Sequence, residues 1–111
     1  MQPLRPDATT ALLRALRERI GTGTDLVVER VTSKAWASAT FTGARHILDL
    51  RLAGTVAEAA ADALLANLDE AEFRLRGHIL ADIGLVTQHR YALDGAMVVA
   101  LSLEALTVED A

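Results

Sequence analysis

Three histidines, His46, His78 and His89, are the residues of this 111-residue chain best suited to metal or proton chemistry. A zinc site needs three or four ligands converging at about 2 Å from the ion. No two of these histidines stand at a short ligand spacing such as i, i+2 or i, i+4, so they read as polar residues on strand faces. The chain has no cysteine, which excludes disulfides, thiolate metal sites and a cysteine nucleophile. Ser33, Ser38 and Ser102 lie in no G-x-S-x-G setting, the strained turn that presents a catalytic serine. A Ser-His-Asp triad would have to assemble from scattered residues, and nothing in the sequence favours one.

Two carboxylate groups stand out: Asp69, Glu70 and Glu72, and Glu104, Glu109 and Asp110. Paired carboxylates divide acid and base roles only when their environments differ. Here one group closes a helix and the other ends the chain, so both read as solvated turns. Gly21-Thr22-Gly23-Thr24 is glycine-rich, but a phosphate cradle leads into a helix, whereas this loop follows one. Trp36 is the single tryptophan. It has two readings, a cap on the core or an anchor at a contact between subunits, where tryptophan is enriched.

The elements that position these residues are legible from periodicity. Both prolines lie in residues 1–6, a loose arm. Asp7 is an N-cap, its carboxylate accepting from first-turn amides. Leu12, Leu13, Leu16 and Ile20 then mark a helix over about 7–20, ended by Gly21 and Gly23. Leu26, Val27, Val28, Val31 and Thr32 read as a strand from Asp25. His46 to Leu52 alternates, with Leu48, Leu50 and Leu52 on one face and Ile47, Asp49 and Arg51 on the other. Between the two strands, residues 33–44 form either one long hairpin with Thr42-Gly43 at its tip or a loop beginning near Ser33.

Thr55-Val56-Ala57-Glu58 matches a capping box at the start of a second helix over about 55–68. From Phe73 to Leu85 apolar residues again alternate, with Arg74, Arg76, His78 and Asp82 opposite and a kink near Gly84. Asp94-Gly95 is a hairpin turn signal, leading to a last strand over about 96–107 and an acidic tail, 108–111, that should fray. The order α-β-β-α-β-β predicts an α+β two-layer sandwich: a four-stranded antiparallel sheet with both helices on one face. Leu48, Leu50, Ile79, Ile83, Leu101 and Leu103 make that face uniformly apolar, a core in place of a ligand pocket. The opposite face, with Asp49, Arg51, Arg74, Arg76, His78 and Ser102, is polar enough to meet water or another subunit.

The composition agrees with one domain spanning residues 1–111. Its 51% hydrophobic content argues against disorder. A formal net charge of −4 makes tight nucleic-acid binding a poor expectation. The opening residues lack the apolar run of a signal peptide, and no stretch approaches 18 uninterrupted apolar residues, so no membrane span is expected.

Residues 36–50, Trp-Ala-Ser-Ala-Thr-Phe-Thr-Gly-Ala-Arg-His-Ile-Leu-Asp-Leu, resemble the small tail-completion, or tail-terminator, proteins of long-tailed phages and gene transfer agents. In that family a tryptophan precedes a polar stretch, a glycine, a charged pair ending in histidine and an alternating strand. Phe73-Arg74-Leu75-Arg76-Gly77-His78 is similar to the family's third strand, and Arg90 before Asp94-Gly95 also fits. The resemblance covers roughly residues 8–107. One departure is the short, proline-free Gly21–Thr24 loop.

The resemblance implies a structural virion protein with no enzymatic activity, cofactor or metal. It implies a homo-oligomeric ring, commonly of six subunits, that caps the tail tube protein and joins it to the head-tail connector or stopper. DNA would only pass through the lumen. Such a subunit would be made in the bacterial cytoplasm and end in the particle. With the polar sheet face, the resemblance makes Trp36, Phe41, Arg45, His46, Arg51, Arg74, Arg76 and Arg90 the candidate interface residues. Two alternatives stay open: another neck or connector component, or a small α+β enzyme or ligand-binding domain.

Overall fold

The computed structural model describes residues Asp7–Asp110, so the expectation for the arm 1–6 lies outside the described residues. The element order is α1 (Ala8–Ile20), β1 (Asp25–Ala37), β2 (Thr42–Ala53), α2 (Ala57–Leu65), β3 (His78–Leu93) and β4 (Ala96–Glu109). The four strands form one antiparallel sheet in the order β1-β2-β4-β3. Each hairpin therefore contributes one central strand, β2 or β4, and one edge strand. Both helices pack on the same face. Leu12 and Leu16 of α1 and Ala57, Ala61 and Leu64 of α2 share one buried cluster with Leu48, Leu50, Leu52, Val99, Leu101 and Leu103. This is the expected two-layer α+β sandwich.

The first helix forms as its sequence dictates. Asp7 accepts at 2.6 Å from the Thr10 amide, and Gly21, at φ 79°, ends the helix where a side chain would be strained. At the far end of α1, Arg19 donates to the carbonyls of Leu64 at 3.0 Å and Ala66 at 2.6 Å. It thereby caps the C-terminus of α2, which lacks a glycine stop.

The capping box expected at Thr55–Glu58 does not form. The helix starts at Ala57, with Val56 at the cap position and no side-chain cap bond. Glu58 instead faces Arg90 from β3, at 3.7 Å. The helix also ends earlier than expected, because Asn67 adopts a left-handed conformation at φ 54° before the 3-10 turn Leu68–Glu70.

The segment from Ser33 to Ala44 is one long hairpin, with its tip at Ser38–Phe41 and not at Thr42-Gly43. There Ser38 Oγ accepts from the Phe41 amide at 3.0 Å. The expected strand start at Phe73 is also displaced: the ladder begins at His78, after Gly77 at φ 79°. The irregularity expected near Gly84 lies instead at two bulges, with Ala81 and Val86 as the extra residues. Each extra residue reverses which side chains face inward. Ile83 is therefore buried at 2% exposure, while Ile79 stands 52% exposed on the outside. The Asp94-Gly95 turn has both residues at positive φ, 51° and 79°, the geometry that suits a two-residue hairpin. The acidic end is tied down as far as it is described. β4 runs through Glu109, and the Asp110 amide donates to the Gly77 carbonyl at 3.0 Å.

Candidate functional site

The candidate interface residues separate into three places. Trp36, Arg45 and Arg51 lie on the outer sheet face. Trp36 stands directly opposite Gly43 in the β1–β2 ladder. Its indole packs over that glycine, so a Cβ at position 43 would lie 2.9 Å from Trp36 Cζ2. Trp36 is half-buried and is not part of the core cluster. Its Nε1 is buried with no hydrogen-bond partner among the described residues. Arg45 pairs with Glu104, and Arg51 lies 3.4 Å from Glu29. Lys34 faces Arg45 directly across the ladder, an arrangement of like charges that costs stability unless an anion shares it. Lys34, Trp36, Arg45 and Leu106 line a shallow hollow of about 440 Å³. Phe41, 55% exposed, projects at the hairpin tip beyond this hollow.

Arg74, Arg76 and Arg90 are not on that face. Arg74 and Arg76 precede β3 and line a depression with Thr10, Arg14 and Glu18 of α1. Arg90 reaches to the helix layer, where its guanidinium lies 2.8 Å from Asp62 of α2. The expected outer-face placement of Arg74, Arg76 and His78 fails because the strand starts later and because Ala81 shifts its register.

His46 departs furthest from expectation. It is 1% exposed and points inward, in line with Leu48, Leu50 and Leu52. The helix-facing surface is therefore not uniformly apolar. Beyond the end of α1 it carries His46 and Thr107, both 1% exposed. They form the floor of a cleft of about 560 Å³ lined also by Asp7, Thr9, Ser33, Arg76, His78, Glu109 and Asp110.

A strand bulge builds this floor. Leu26 and Val28 of β1 lie opposite Leu52 and Leu50, but Glu29 is an extra residue, and Val31 then lies opposite Leu48. Ser33 consequently turns inward and meets His46, its direct cross-strand partner. Without the bulge, Ser33 would face outward.

Ser33 Oγ lies 2.7 Å from His46 Nδ1, and Thr107 Oγ1 lies 2.9 Å from His46 Nε2. The Thr107 hydroxyl donates to the Ala44 carbonyl at 3.4 Å, so it accepts from an Nε2–H. That leaves Nδ1 as an acceptor for the Ser33 hydroxyl. Burial, with a contribution from nearby His78, holds the His46 pKa below its usual 6.5 despite the opposing pull of Asp7. Burial thus favours the neutral imidazole of His46. No spacing rule reveals this pair, because it exists only through strand pairing. Among the described residues no group of three or more His, Asp or Glu side chains is placed to hold a metal, and no helix is long and apolar enough to cross a membrane.

No protein-family model matches the sequence, and no curated protein does. Among solved structures, a chain of the "Virion of native gene transfer agent (GTA) particle" is similar, with a TM-score of 0.62 at 18% identity over 78% of this chain and 70% of that one. At that identity the likeness is one of fold.

Proposed function

We propose that this chain is a structural subunit of a phage-like or gene transfer agent particle and, within that class, a tail-terminator subunit. Copies of it would close into a ring, of six subunits, that ends the tail tube and joins it to the head connector. The fold shared with a chain of a gene transfer agent virion carries this reading. The surface supports it. A ring needs two different patches on each copy that fit one another. The outer hollow around Trp36, with Lys34 opposite the Glu104-paired Arg45, is one candidate patch. The exposed Phe41 at the hairpin tip is a candidate anchor.

The test is assembly with the neighbours. Purified chain is mixed with tail tubes from the same particle and imaged by electron microscopy. Density at one end of the tube supports the reading. Random binding along the tube, or none, overturns it. Phe41→Ser should weaken end binding by about tenfold or more if Phe41 is an anchor, with folding unchanged by circular dichroism.

A further inference from the structure

The cleft floor holds a second arrangement, apart from the outer hollow around Trp36. Ser33 is exposed at the cleft wall with its Oγ 2.7 Å from His46 Nδ1. Thr107 fixes the opposite nitrogen of the same ring at 2.9 Å. A hydroxyl bonded to a neutral imidazole, itself oriented by a third group, is the general constellation of an activated nucleophile. The space beside it is large enough for a small acyl group, and its lining includes Ala8, Ala35, Gly43 and Ala44. We propose that Ser33 is a nucleophile toward small carboxylic esters, with His46 as its base and Thr107 as a positioning residue.

The step balances within the protein and the ester. The Ser33 proton passes to His46 Nδ1 as Oγ bonds the carbonyl carbon. The tetrahedral adduct then collapses, the ester C–O bond breaks, and the proton on His46 leaves with the alcohol. Water, deprotonated by His46, attacks the acyl-Ser33 and releases the carboxylic acid. Arg76, exposed on the same cleft, is the cation available to the developing oxyanion. The Thr9 hydroxyl, 3.1 Å from Ser33 Oγ, holds the serine in place. The other titratable or charged groups around the ring are Asp7 from α1, His78 from β3, and Glu109 and Asp110 at the end of β4. This inference is independent of the assembly role.

The test is labelling of the intact chain with an alkyl fluorophosphonate, which bonds an activated serine through phosphorus and loses fluoride. Mass spectrometry should place the label on Ser33 at about a hundredfold the rate of Ser38 and Ser102, the scale of base assistance. The rate should fall on acidification, as His46 takes up a proton. Thr107→Val should slow labelling and move its pH profile, and Thr107→Ser should restore both, which a purely structural role would not require. Hydrolysis of p-nitrophenyl acetate should be lost in Ser33→Ala. Labelling of Ser33 at the rate of Ser38, or a rate that does not fall on acidification anywhere in the range where the chain stays folded, overturns the proposal. So does equal labelling in folded Thr107→Val.

Discussion

Ser33 and His46 stand opposite each other in the β1–β2 ladder, with Oγ and Nδ1 2.7 Å apart. The pair joins an exposed edge strand to a histidine at 1% exposure. Thr107 extends it into β4, and Thr9, 3.4 Å from Nδ1, extends it into α1. Four elements therefore meet around one imidazole.

That imidazole makes stability depend on pH. Its pKa is lowered in the folded state below 6.5, first by burial and then by His78. The unfolded chain therefore binds more protons in mild acid, so stability rises with pH there. The contribution is complete above about 6.5 and is lost as pH falls from there through the lowered folded value. The urea midpoint should drop between pH 7 and pH 5, and His46→Gln should flatten the drop. An equal drop in folded His46→Gln would assign it to other groups.

Gly43→Ala tests the packing of Trp36 against β2. A methyl group there would overlap the Thr107 carbonyl and approach Trp36 Cζ2 at 2.9 Å. The carbonyl is backbone and cannot swing away. Overpacking of this kind costs about 1–3 kcal/mol, and the thermal midpoint should fall accordingly. An unchanged midpoint would mean that the ladder yields at this point.

Two arginines should differ in what they contribute. Arg19 reaches two carbonyls at the end of α2. Truncating it leaves those carbonyls without the guanidinium, so Arg19→Ala should cost about 1.5–3 kcal/mol. Arg90 meets Asp62 and Glu58 at a solvent-exposed surface. Arg90→Ala should cost less than about 1 kcal/mol. Chemical denaturation of the two variants checks the ranking, and a costlier Arg90→Ala reverses it.

Local signals in the sequence were sufficient for much of the fold. Asp7 and Gly21 bound α1, alternation marked β2 and β4, and Asp94-Gly95 set the second hairpin. What failed depended on distant partners. Thr55 and Glu58 spell a capping box, but Arg90 engages Glu58. The bulges at Glu29, Ala81 and Val86 carry no residue signature, yet they decide which side chains face inward. Glu29 brings Ser33 to His46, and Ala81 turns Ile79 outward. The interface candidates fared unevenly for the same reason. Trp36, Phe41, Arg45 and Arg51 reach the surface near one another or on one face, whereas His46 is interior and Arg90 bonds the helix layer.

The proposed closed ring of copies of this chain has a direct test. Light scattering coupled to gel filtration, with electron microscopy of the same fractions, reads the assembly state. A discrete species of six chain masses is expected at high concentration, imaged as rings with an open centre, and lost in Trp36→Ala or Phe41→Ser variants that remain folded. A strict monomer at every concentration, with no rings even beside tail tubes, would contradict it.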